Sequence, residues 1–353
     1  MECLRIVAML MIVAFHMVYF GGFRYPIDHV SVPRMWVQML LMGGKLGVNL
    51  FVMLTGYYLI TGTRGLSLVR VLKIWNALFF YAVVMLAVSL GRGDFSLRSL
   101  GWLAPCSMRV WWFASAYMGL YLVHPFVNEL LRQLSRRRYI ALLLLQALLW
   151  SLVPLYARGG FALADVSEFI FFYSLAAYIR LHGGEQPLRW RSCAALLLSG
   201  FAVTFGGSLL LAAMPSASLR SLSWCFLAQT APGMVLLSLG VFLIFARRPF
   251  PQSRMVNLVA SASFGVYLIH DNSVTKPLLW SRWFHAANYQ DSLWLIPYSL
   301  MVPVIVYAGC TLIEWLRQWA VERRLLRALR PLCERGEALL RRALTWAERR
   351  LQV

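Results

Sequence analysis

Charge is what this sequence has least of. Asp, Glu, Lys and Arg make up 14% of 353 residues, against 60% hydrophobic residues and a mean hydropathy of +0.65. A soluble domain of this size carries roughly twice that charge. The composition therefore excludes an ordinary soluble globule, and the excess apolar surface must face lipid. Acids are scarcest of all, 14 against 34 Lys plus Arg, for a net charge of +20. Such a balance can mark a nucleic-acid binder. Here the arginines sit in short clusters between apolar runs, which is the pattern of membrane topology, and no nucleic-acid partner is expected. Cys3, Cys106, Cys193, Cys225, Cys310 and Cys333 form no CxxC pair and share no zinc-like spacing with histidine, so no metal site is expected. No G-x-S-x-G elbow or other nucleophile signature occurs, and there is no internal repeat or low-complexity linker. The first apolar run has neither a basic leader nor an A-x-A exit and is expected to be a retained span.

What the chain has instead is apolar runs. Ten are expected to cross a membrane, at roughly 4–20, 44–62, 69–91, 109–131, 138–157, 161–181, 192–214, 226–246, 256–271 and 292–316. The fold class expected is all-α and polytopic. Loop arginines and lysines are about twice as frequent on one side as on the other when the N-terminus is placed in the cytoplasm, which predicts N-in and C-in. Residues 21–43 read as an outer loop with a short interfacial piece from Met35 to Met42. Residues 1–318 read as one transmembrane domain. Residues 319–353 read as a basic amphipathic tail lying on anionic lipid, divided into two pieces at Pro331.

Several runs hold residues that a purely structural span would avoid. The first carries Arg5 and His16 with ten residues between them. At the helical rise they are roughly 16 Å apart and on one face. An ionisable group inside a span faces a bundle interior or a wet cavity, although a snorkelling arginine and a bonded core histidine explain the pair equally well. Gly43, Gly44, Gly47, Asn49 and Gly56 crowd the second span, permitting close backbone approach or a break. Arg70 and Lys73 share a helix face at the start of the third span, as positive-inside anchors would. The fourth opens on Trp112 and Phe113, continues through Tyr117, and reaches His124 before Pro125, where a proline frees a carbonyl that the histidine is expected to satisfy. Asp165 and Glu168 flank the sixth span. The ninth ends Tyr267-Leu268-Ile269-His270-Asp271-Asn272, and its polar close calls for a cavity to receive it.

Taken together these motifs resemble membrane acyltransferase family 3, in its polysaccharide-modifying branch. Glu2, Leu4, Arg5 and Ala8 followed by His16 resemble its first span. Gly47-Val48-Asn49-Leu50-Phe51 with Thr55-Gly56-Tyr57 resembles its second. Arg70 and Lys73 stand where the family has R-x-x-R. The Trp-Phe, Tyr and Pro-Phe wording of the fourth span and Gly265-x-Tyr267-Leu268-x-His270 also match. The resemblance implies an O-acyltransferase that moves an acetyl group from acetyl-CoA to a hydroxyl of a surface polysaccharide or lipid-linked glycan, in a plasma (inner) membrane of bacterial type. It implies His16 as general base, with Arg5 and His270 also in the catalytic group. Arg5, Arg70 and Lys73 would meet the acyl-CoA, and Asn49, Trp112, Tyr117, Tyr267 and Asp271 would line the acceptor. Asn49, Tyr117 and His270 are candidate oxyanion donors. Histidine suits a base working near neutral pH. The rival class is a transporter or flippase for lipid-linked sugars, which inverted repeats would favour. A third reading is an acyltransferase-like sensor without activity.

Overall fold

The computed structural model describes residues 1–25, 31–62, 65–106, 110–156, 165–183, 189–247 and 253–351. No strand occurs among them. Of the cations used to assign topology, Arg64, Arg109, Arg158 and Arg248 lie outside the described residues.

The longer helices are α1 (Glu2–Phe20), α2 (Val32–Leu59), α3 (Leu68–Arg92), α4 (Trp112–Gln133), α5 (Arg136–Ala147), α6 (Asp165–His182), α7 (Trp190–Phe201), α8 (Pro232–Arg247), α9 (Arg254–Ser261), α10 (Ser263–His270), α11 (Leu295–Arg317) and α12 (Arg323–Leu351). Six helical stretches are long and apolar enough to cross a membrane: Glu2–Phe20, Val32–Leu59, Leu68–Arg92, Trp190–Ala212, Ala217–Arg247 and Leu295–Ala343. The expected spans at 109–131, 138–157, 161–181 and 256–271 are not among them. In physical terms α4 carries Trp, Tyr, His, Asn and Glu, α5 opens on three arginines, α6 holds Asp165, Glu168 and Arg180, and the last of these spans is broken at Ala262 into α9 and α10.

Helix α1 is the centre of the bundle. It packs against α2, α11, α9 and α10, and Leu4, Ala8, Met9, Val13 and Met17 are buried along it. Lipid tails are as apolar as leucine, so helices in a membrane associate through close packing, and small residues allow it. A Cβ on Gly47 would lie 2.5 Å from the Ala8 carbonyl oxygen, and one on Gly44 would enter the Phe15 ring. Gly56 meets the backbone of Tyr173 on α6 in the same way, at 2.5 Å from its carbonyl oxygen. The glycines thus serve approach, and α2 is unbroken through them.

Two expectations are corrected. The stretch 21–43 is not a loop throughout, because α2 begins at Val32. Ser31 caps it by accepting from the Arg34 N–H at 3.4 Å, and Pro33 occupies the first turn, where its missing N–H costs nothing. The glycines that suggested a break are held helical by the neighbours they admit. The tail is also not divided at Pro331, since α12 runs through it. The proline removes one donor, yet the Leu, Arg, Ala and Glu residues around it are strong helix formers. Moreover α11 passes through a π-helical turn, Gln318–Glu322, into α12, so the expected domain edge at 318/319 falls inside one helical run. Helix α12 packs on α3, and the Leu68 N–H donates to Glu337 Oε1 at 2.6 Å.

The far end of α2 is tied by α4. Arg132 Nε donates to the Ile60 carbonyl at 2.8 Å and its Nη2 to that of Gly62 at 2.7 Å, supplying donors to carbonyls that a helix end leaves free. His124 Nδ1 donates to the Tyr121 carbonyl at 2.5 Å, the structural role expected of it.

Candidate functional site

Two cavities lie one after the other along α1. The larger, about 1010 Å³, begins at Met1, Glu2 and Arg5 and reaches Met9. The smaller, about 470 Å³, runs from Met9 through Ile12 and His16 to Phe20. Met9, Phe113 and Tyr267 line both and separate them.

His16 faces the smaller cavity with His270 behind it. His270 Nδ1 lies 2.6 Å from the Val266 carbonyl oxygen, and His16 Nδ1 lies 2.9 Å from His270 Nε2. A carbonyl only accepts, so His270 Nδ1 carries hydrogen. In the neutral ring its Nε2 then accepts, and His16 Nδ1 must donate. This chain of two bonds leaves His16 Nε2 with a free lone pair. Asp271 Oδ2 is 3.9 Å from that nitrogen, and Lys276 Nζ holds Asp271 Oδ1 at 3.0 Å. His16 is 7% exposed and His270 fully buried, so His16 meets the cavity while its partner is sealed from it. Trp112, Trp224, Phe15, Tyr19 and Phe20 give the smaller cavity aromatic walls. Lys45 Nζ sits 4.4 Å from the Trp112 ring centroid and Lys276 Nζ 4.7 Å from that of Phe20, both within cation–π range.

The larger cavity is walled by charge. Arg5 is paired with Glu2. Lys73 Nζ is 3.1 Å from Glu322 Oε1. Arg317 forks onto Glu314, Nε at 2.8 Å and Nη2 at 2.7 Å, while Nη2 also meets Glu322 at 2.5 Å and Nη1 donates to Asn76 Oδ1 at 3.0 Å. Tyr81 donates to the same Glu314 at 2.7 Å. A buried bidentate pair with every guanidinium nitrogen engaged is a structural clamp. Arg70 and Arg180 differ. Among the described residues neither has a carboxylate within 4.0 Å. Arg180 Nη1 donates to the Tyr57 hydroxyl at 3.2 Å and stacks on that ring, and Arg70 lies beside the Tyr121 hydroxyl.

The residues singled out in the sequence thus fall into three groups. His16, His270, Asp271, Trp112 and Tyr267 gather at the smaller cavity. Arg5, Arg70, Lys73 and Tyr117 gather at the larger, where the Tyr117 hydroxyl donates to Thr55 Oγ1 at 3.4 Å, the Thr55 hydrogen being engaged by the Phe51 carbonyl at 2.9 Å. Asn49 lines neither. It is fully buried, and its amide donates to the Gln229 carbonyl and to Ser238 Oγ, both at 3.0 Å, which pins α2 to α8. Arg180, Lys45 and Lys276 had registered only as loop cations, because a cation at a span end is indistinguishable from a topology anchor. Glu314 did carry a signal, as an acid inside an apolar run with Arg317 one turn later. No group of His, Cys, Asp and Glu able to hold a metal ion occurs among the described residues.

The described residues thus form an all-helical bundle in which His16 lines one cavity and a septum of Met9, Phe113 and Tyr267 parts it from a second, cation-lined one. The family model described as an acyltransferase domain matches residues 1–315. The chain belongs to acyltransferase family 3 and is a membrane acyltransferase. Neither the curated proteins nor the solved structures yield a match.

Proposed function

We propose that the protein is an O-acetyltransferase. Acetyl-CoA enters the larger cavity from the cytoplasmic side, and a hydroxyl of a cell-envelope polysaccharide or lipid-linked glycan enters the smaller cavity from the other side of a plasma (inner) membrane of bacterial type. The observation that carries this reading is the sorting of groups along α1, with two arginines that have no carboxylate within 4.0 Å among the described residues on one side of the septum and His16 among aromatic walls on the other. Phosphates of an anionic donor suit guanidinium forks, which favours Arg70 and Arg180 over Lys73 and Arg5, whose charge Glu322 and Glu2 already meet. Sugar rings present C–H faces that pack on Trp112, Trp224 and Phe20.

In this reading His16 Nε2 removes the hydroxyl proton, and the oxygen attacks the thioester carbonyl carbon. The C–S bond then breaks, and the thiolate takes the proton back from His16. Alcohol and acyl thioester become ester and thiol. His270 holds the tautomer, and Asp271 offsets the charge on His16 while it carries the proton. The N-in, C-in arrangement would put the tail on the cytoplasmic membrane surface beside the donor mouth. A transporter for lipid-linked sugars would need Arg5 and His16 in one pathway, whereas they line different cavities.

The test uses purified full-length protein in lipid nanodiscs with acetyl-labelled acetyl-CoA and envelope glycan extract. The expected result is label in an alkali-labile ester with stoichiometric release of free thiol. Glycan binding or movement without thiol release would refute the reading.

A further inference from the structure

The septum between the cavities contains one hydrogen-bond donor. Met9 and Phe113 have none to offer from their side chains, and Tyr267 has its hydroxyl. Tyr267 is 3% exposed, and its hydroxyl makes no hydrogen bond of normal geometry. The Asp271 carboxylate and the Phe113 backbone are the polar groups beside it, neither in a bond of that geometry, and Asp271 is shared with Lys276 and His16. Nearby polar groups are satisfied: His270 by Val266, His16 by His270, Ser263 by Tyr307 at 2.9 Å. A buried hydroxyl with no bond of normal geometry has donor capacity left over. Its placement is specific as well. Tyr267 stands one helical turn before His270 on α10, with ring centroids 6.3 Å apart, and its ring is packed edge-on against Phe113 at 5.4 Å.

We infer that the Tyr267 hydroxyl is the donor for the acyl carbonyl oxygen, and that the thioester reacts at the septum. This rests on the reading that the donor is an acyl-CoA. The CoA portion stays in the larger cavity, and the acyl carbonyl reaches the plane of Met9, Phe113 and Tyr267, where the acceptor oxygen arrives from the side of His16. When the O–C bond forms, the carbonyl π pair moves onto its oxygen, and the Tyr267 O–H donates to that oxyanion. When the intermediate collapses, the pair returns, the C–S bond breaks and the sulfur leaves with the proton from His16. A donor fixed where charge develops, away from water, is the arrangement that stabilises such an intermediate.

The test compares two non-reactive CoA analogues by calorimetry on full-length protein in nanodiscs. One is a ketone in which CH₂ replaces the thioester sulfur, and the other is an alkyl analogue with no carbonyl. The native protein should bind the ketone more tightly, and Tyr267→Phe, which keeps the ring in the septum, should erase the difference while leaving affinity for free CoA unchanged. In the transfer assay the same variant should lose about 10²–10³-fold in kcat with little change in KM for acetyl-CoA. Equal binding of ketone and alkyl analogues by the native protein would overturn the assignment without any variant. So would Tyr267→Phe protein of native elution and melting behaviour that turns over within about threefold of native, far from that range. If no CoA compound binds the native protein, the acyl-CoA reading falls and this inference with it. If CoA binds and the carbonyl makes no difference, the inference alone falls.

Discussion

The two cavities share a wall and differ in almost everything else. The larger is lined by ions drawn from α1, α3, α6 and α11, and most of those ions neutralise one another. The smaller has a single carboxylate, one histidine, two lysines set against aromatic rings, and otherwise aromatic and apolar walls. Under the proposed function the larger takes the anionic donor and the smaller holds the acceptor against His16. The difference teaches that the count of cations at a membrane mouth says little until their partners are known. Arg5 and Lys73, conspicuous in sequence, are already engaged, while Arg180, inconspicuous, is available.

The sharpest way to break this division is at the base. His16→Ala should lower transfer by about 10²–10⁴-fold while acetyl-CoA affinity stays native in calorimetry. A coupled loss of donor affinity would mean that the cavities do not work separately. Next comes Arg180→Ala, which removes a charge-assisted contact of about 1.5–3 kcal/mol. Donor Kd should rise by one to two decades, and Arg180→Lys should recover only part of it because a point charge lacks the planar fork. An unchanged Kd would return Arg180 to the role of an anchor. Smaller again is His270→Ala, which leaves His16 Nδ1 without its acceptor. About one hydrogen bond is lost, roughly 1.4 kcal/mol or tenfold in kcat, with KM native and the pH profile displaced, since His16 no longer has a fixed tautomer. A flat, unshifted profile would refute the positioning role. The least effect is expected at the tail. Truncation after Val321 removes Glu322, and with it the partner of Lys73 and one of the two carboxylates on Arg317, which keeps its fork onto Glu314. Transfer should persist at equal protein level, with donor affinity tightened by no more than about fivefold, the value of a half-exposed ion pair. Complete loss of transfer would move α12 into the donor site.

How much of this was legible follows from the physics of each residue. His16, His270 and Asp271 stood out because ionisable groups in apolar runs are expensive, and the structure brings the three together at the smaller cavity. That His16 and His270 bond each other across 254 positions of sequence was not legible, since nothing local encodes a tertiary contact between spans. The helix α2 was shortened at its start because Gly43 and Gly44 look like a break when read alone. Only the presence of Phe15 and Met11 opposite shows them as contact points. Asn49 looked like a cavity residue because polar groups in spans often are. Its partners Gln229 and Ser238 come from a distant part of the chain. Tyr267 was expected to line the acceptor, and its position on the septum could be seen only when both cavities could.

The chain of two histidines ends on the Val266 carbonyl, and an amide oxygen does not accept a proton to keep. No proton taken up at His16 Nε2 can therefore be relayed through His270 and released beyond it. The wire is closed at that end, and the proton lifted from one substrate is the one returned to the other. Under the proposed transfer each turnover then consumes and releases no free proton on either side, and it draws nothing from the transmembrane gradient. A protein reconstituted in sealed vesicles should transfer acyl groups at the same rate before and after an ionophore collapses that gradient, a behaviour that a proton-driven carrier built around the same histidines would not show.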